Sequence, residues 1–175
     1  MRTRLFTIVP VLLMAAATWS PQAPSTGLDD YGVLLGNWVG HLEYLDYGDD
    51  LTRVRLATTM TCEKTYSLRH LKRVLTFSYS FDEGNGRTVE SSSQLRLIGD
   101  AQLEFGGRWE IAEQDLTPDR ISLVLTSEGQ DNNRPASFRQ LVVADADTLV
   151  MTKEVRYEGT SESFIRNTYR FSRQP

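Results

Sequence analysis

The chain has 175 residues, 40% of them hydrophobic, with 19 basic and 23 acidic residues and a formal net charge of −4. A mildly acidic chain without a basic run lacks the electrostatic footprint of a nucleic-acid binder or of a protein held to an anionic membrane surface. Cys62 is the only cysteine, which excludes an intramolecular disulfide, so the fold must be stable by packing alone.

At the N-terminus, Arg2 and Arg4 precede an almost wholly apolar run from Leu5 to Ala17, and small or polar residues follow. This is the pattern of a secretory signal, and the run is shorter than the roughly 20 residues a membrane span needs. Residues 1–23 are therefore expected to be an export signal, although Ala17, Ser20 and Ala23 are all possible cleavage points. Residues 24–175 are then a single domain, periplasmic or secreted, with no membrane span in the mature chain.

Past that segment, period-two alternation recurs between turn residues spaced about 8–12 apart, which reads as an all-β sandwich or barrel. A first strand over about 36–47 places Trp38, Gly40, Leu42 and Tyr44 on one face, and Asp46 to Asp50 is turn chemistry. A second, about 51–62, aligns Val54, Leu56, Thr58, Met60 and Cys62. A third, about 71–82, aligns Leu71, Arg73, Leu75, Phe77, Tyr79 and Phe81. Asn85-Gly86 is a hairpin signal, because a type I′ turn needs positive φ at both central residues. A fourth strand, about 87–98, follows.

Short alternating segments around Leu103, Trp109 and Ile121–Leu125 come next, with Gly106-Gly107 bending the chain between the first two. The polar run from Glu128 to Pro135 reads as the longest loop. Phe138–Val142, Leu149–Tyr157 and a last strand of about 163–172 complete nine or ten antiparallel strands with hairpin-length connections. Closing such a meander into an up-and-down β-barrel removes its exposed edges, whereas a Greek-key sandwich needs a long return connection.

Gly36-Asn37-Trp38 in the first strand, with the arginines of Phe164 to Phe171 in the last, resembles the calycin-type barrels, the lipocalins among them. The resemblance implies that Trp38 plugs the closed end of the barrel, with Arg166 or Arg170 stacked on its indole as a cation–π contact. These two arginines share a face in the alternation, which leaves the choice open. The aspartate–arginine pair and the C-terminal helix of lipocalins proper lack clear counterparts, so the chain is more similar to a broader lipocalin-like group of exported bacterial barrels. Leu35 to Gly40 also resembles the opening of nitrobindin-type haem barrels. Those require an axial histidine late in the chain, and His41 and His70 are the only histidines here. No haem, and no other cofactor, is therefore expected.

The leading expectation is non-catalytic binding of a small hydrophobic or amphipathic molecule inside the barrel. Leu42, Tyr44, Leu56, Met60, Phe77, Tyr79, Trp109, Phe138 and Met151 are candidate lining residues, although such residues at strand spacing are buried with or without a ligand. Arg73, Lys153 and Arg166 are more telling, because each interrupts an apolar face and a buried charge needs a partner. That partner could be an acidic ligand head group or a carboxylate at the rim; a bulge could also have displaced the alternation. The alternative is a structural or interaction protein whose filled barrel presents loops 128–135 and 157–163 to another protein. Catalysis has thin support. His41 and Glu43 share the outer face of the first strand, and Cys62 with His70 matches neither a zinc spacing nor a dyad. Asp46, Asp49 and Asp50 lack the ligand spacing of a calcium loop, so no metal site is expected.

Overall fold

The computed structural model describes residues 27–175, so the expected export signal lies outside the described residues. A short 3-10 helix (Leu28–Leu34), which the alternation does not announce, precedes ten strands. They are β1 (Gly36–Leu45), β2 (Arg53–Ser67), β3 (Lys72–Gly84), β4 (Arg87–Ile98) and β5 (Gln102–Phe105), then β6 (Arg108–Thr117), β7 (Arg120–Asp131), β8 (Arg134–Ala144), β9 (Thr148–Tyr157) and β10 (Phe164–Arg173). Every neighbour in sequence pairs antiparallel, and β1 closes the ring against β10. The fold is the expected up-and-down barrel rather than a sandwich.

Two turns show why the hairpins form where they do. Asn85 and Gly86 have φ of 53° and 74°, as the Asn-Gly pair predicts. Asn132 and Asn133 do the same at 49° and 61°, because asparagine tolerates the left-handed region. The expected loop 128–135 is therefore mostly strand: β7 runs to Asp131 and β8 begins at Arg134. Its composition is polar because this stretch reaches the barrel mouth.

One end of the barrel is sealed. The 3-10 helix buries Tyr31 and Leu34, and the indole of the fully buried Trp38 donates to the Leu34 carbonyl at 3.0 Å. The cation over that indole is Arg173, 4.1 Å from the ring centre, and neither Arg166 nor Arg170. Arg173 also donates to the carbonyls of Val33, at 2.7 Å, and Leu35, locking the helix to the last strand. Gly36 sits beneath it at φ 117°, and a Cβ there would lie 2.7 Å from the Arg173 guanidinium. The Gly-x-Trp spacing thus clears a seat for this arginine.

The misassignment has a local cause. The β9–β10 register shifts between Ile165 and Asn167, so Arg166 occupies a bulge. One extra residue reverses the parity of a strand. Beyond the bulge, Asn167 is partnered with the inward-facing Tyr44, Tyr169 with Leu42 and Arg173 with Trp38, whereas Arg170 is exposed on the outer wall.

The half of the barrel nearest the helix is solid. Met60, Leu75, Phe77, Leu103, Leu123, Leu149 and Met151 are all buried there with Trp38, each worth about 1.5–3 kcal/mol on transfer from water. The wall is uneven on one side. β5 pairs with β4 only over Leu95–Ile98, and the β6–β7 ladder begins at Glu110 and Thr126. Residues 87–94 of β4 and 127–131 of β7 therefore have no ladder partner on that side among the described residues, which notches the open rim.

Candidate functional site

At the open end, the bulge turns Arg166 into the barrel, where it is fully buried. Its Nη1 donates to Asp50 Oδ1 at 2.7 Å, and its Nη2 donates to Asp131 and, at 3.1 Å, to the Tyr157 hydroxyl. That hydroxyl in turn donates to Asp131 at 3.1 Å. The guanidinium lies 4.6 Å from the ring centre of Tyr47 and 4.9 Å from that of Phe164. Asn132 completes the cluster, donating to Asp50 at 3.1 Å and to the Tyr47 carbonyl at 3.2 Å. The β1–β2 loop is thereby tied to the β7–β8 turn and to β10.

These contacts set the charge states. Burial opposes the charge on Arg166, but hydrogen bonds to Asp50 and Asp131 outweigh it and hold its pKa above the ordinary arginine value. Hydrogen bonds from Arg166 and then Asn132 hold the Asp50 carboxyl below its usual range. Burial, with the hydrogen bond to Asp131, raises the Tyr157 phenol. The partner of Arg166 is thus a pair of the protein's own carboxylates, not the acidic head group that the sequence left as one option.

Beside this cluster lies a cavity of about 250 Å³. Leu42, Tyr44, Leu56, Phe81 and Val89 form its apolar walls, while Tyr47, Glu83, Arg166 and Asn167 supply its polar atoms. Phe81 belongs to an aromatic ladder that fills the barrel beneath it. Its ring is 5.9 Å from Tyr79 and 6.4 Å from Tyr169, and Tyr79 is 5.6 Å from Tyr169. The cavity is thus confined to the mouth, where the half-exposed Tyr47 meets solvent.

Of the residues expected to line a ligand site, Leu42, Tyr44, Leu56 and Arg166 border this cavity. Met60, Phe77, Tyr79 and Met151 are part of the filled core. Trp109 and Phe138 pack edge to face at 6.5 Å on the far side of the interior. Lys153 joins them, its ammonium 4.2 Å from the Phe138 ring centre. Burial lowers the Lys153 pKa, against the pull of Asp131 and with the push of Arg166. Arg73 is exposed at the sealed-end rim, away from the cavity: β3 begins at Lys72, so the alternation from Leu71 runs past the strand end. Asp50, Asp131, Tyr157 and Asn132 were not legible as site residues. Asp131 does continue the inward parity of Leu123 and Leu125, a signal hidden once 128–135 is read as loop.

The groups considered for catalysis or cofactors lie elsewhere. His41 is on the outer wall, 3.2 Å from the Arg55 guanidinium, and burial with the charges of Arg55 and Arg170 lowers its pKa. His70 lies in the β2–β3 turn. No histidine therefore faces the barrel interior, and the residues present do not fit a histidine-ligated haem. Cys62 is buried, and burial pushes its thiol up to about 12. Among the described residues, no cluster of three or more His, Cys, Asp or Glu side chains could hold a metal ion.

No protein-family model matches the chain, and no curated protein matches it in sequence. Solved structures do match in shape. The crystal structure of Rv2717c from M. tuberculosis superposes with a TM-score of 0.60 at 17% identity, covering 85% of this chain and 97% of that one. The S-type phycobiliprotein lyase CPES from Guillardia theta superposes with a TM-score of 0.54 at 10% identity, covering 83% and 90%. The fold is lipocalin-like. At these identities the likeness concerns the fold alone.

Proposed function

We propose that the chain is an exported lipocalin-like carrier, holding a small hydrophobic or amphipathic molecule in the cavity at its open end without converting it. The observation that carries this reading is the cavity itself: about 250 Å³ of apolar-walled space in a barrel whose other half is packed solid. Its size lies between the roughly 150 Å³ that accommodates benzene and the roughly 300 Å³ and upward of drug-sized ligand sites. A few polar groups at one side of an apolar pocket are what a binding site needs to orient its ligand. Export rests on the signal-like pattern of residues 1–23. A second reading, an interaction protein, draws support from the unpaired edges of β4 and β7, since a free strand edge is a template for another chain.

Native mass spectrometry of the mature protein from its exported fraction, before and after denaturation, tests the carrier reading. A non-covalent mass lost on unfolding is expected. A clean protein mass, with no binding by a panel of small apolar compounds, overturns it in favour of the interaction protein. Recovery of the chain only from the cytoplasm would overturn export separately.

A further inference from the structure

We propose that the mouth cavity selects an uncharged ligand, a single-ring or short-chain alcohol, ketone or amide with one polar end, and rejects carboxylates and ammonium ions. This rests on the reading of the cavity as a binding site and adds the chemical class of its occupant.

Charge decides first. The cavity wall carries one cation and one anion, and the charge of each is balanced within the protein, the buried Nε of Arg166 being its one guanidinium nitrogen without a partner. Arg166 is held by Asp50 and Asp131, and Glu83 by Arg87 at 2.9 Å. An incoming carboxylate would meet a guanidinium whose charge is already balanced by two carboxylates, with Glu83 a further source of repulsion. An ammonium ion would have to take Glu83 from Arg87 or lie against Arg166. Either ion would give up its hydration without a free counter-charge, and desolvating an unpaired charge costs several kcal/mol.

The neutral polar groups are in the opposite state. The Tyr44 and Tyr47 hydroxyls and the Asn167 carboxamide border the cavity and have no protein hydrogen-bond partner among the described residues. Each can donate and accept, so together they match a hydroxyl, a carbonyl or an amide. Water serves these atoms at the open mouth when the cavity is empty, so their part is to orient and hold the polar end of a neutral ligand. Size completes the class. About 250 Å³ closed below by Phe81 takes a ring or a short chain.

The test is a titration of the mature chain at neutral pH with five single-ring probes: 2-phenylethanol, acetophenone, phenylacetate, benzylamine and ethylbenzene. Binding is read by the methyl chemical shifts of Leu42, Leu56 and Val89. The alcohol and the ketone are expected to bind at least about tenfold more tightly than either ion, a difference of about 1.4 kcal/mol. A Tyr44→Phe/Asn167→Leu double variant, with a folded spectrum, should narrow the gap between 2-phenylethanol and ethylbenzene. Leu56→Phe should block all binding by filling the cavity. Equal or tighter binding of phenylacetate or benzylamine overturns the class while leaving the cavity a binding site. Binding that survives Leu56→Phe, or no binding by any probe, overturns the inference outright, and the native-mass measurement then judges the carrier reading independently.

Discussion

Replacing Arg166 with methionine removes the charge at the centre of the open-end cluster while keeping an unbranched side chain of similar reach. Asp131, whose side chain is only 2% exposed, would keep the Tyr157 hydroxyl at 3.1 Å as its remaining hydrogen-bond donor. Breaking a buried pair by removing one partner costs about 3–5 kcal/mol, because the other charge stays buried and uncompensated. Urea unfolding of Arg166→Met should therefore show a stability loss in that range with an unchanged denaturant slope, the mark of a stability effect rather than altered compactness. The double variant Arg166→Met/Asp131→Leu should recover most of the loss, since a buried pair replaced by apolar groups is often neutral. Asp50→Ala should cost clearly less, because Asp50 is 32% exposed and water can replace it. A loss below about 1 kcal/mol for Arg166→Met, the range of surface ion pairs, would refute the reasoning. So would a double variant no more stable than the single one.

Gly40→Ala should unfold or severely destabilise the barrel in thermal melts, because its methyl would sit 1.9 Å from the Arg170 carbonyl oxygen across the β1–β10 seam. Arg173→Ala removes the cation over Trp38 and the donors to Val33 and Leu35. It should cost about 1–3 kcal/mol and expose the indole, read as a red-shifted tryptophan emission. Cys62 is 1% exposed with its thiol pushed up to about 12, so a thiol reagent should leave the native protein unlabelled and react at once after denaturation. Acid should destabilise the fold through Asp49, held at about 2 by hydrogen bonds from Thr52 and Leu51, and through Asp50 and Asp145, also lowered. Carboxyls lowered in the folded state contribute stability above their ordinary pKa of about 4 and lose it as pH falls through their folded values. The melting temperature should accordingly drop below about pH 4 and change little between pH 5 and 7.

Local pattern was enough for the architecture. Strand alternation alone places Trp38, Gly40, Leu42 and Tyr44 on the inner wall, and Asn85-Gly86 marks its own turn, because both properties depend only on neighbouring residues. The single cysteine likewise commits the domain to stability by packing. The site is a different matter. Arg166 meets Asp131 and Asp50 across 35 and 116 residues of chain, and no local period links such positions. The bulge at Arg166 is a mismatch between two strands, so it has no signature in either alone, yet it decides that Arg166 points inward and Arg170 outward. The brevity of β5, which notches the rim, and the choice of Arg173 as the cation over Trp38 are likewise products of register. Periodicity dictated which residues could face the interior; only closure of the barrel decided which of them fill it, which pair with one another, and where about 250 Å³ is left open.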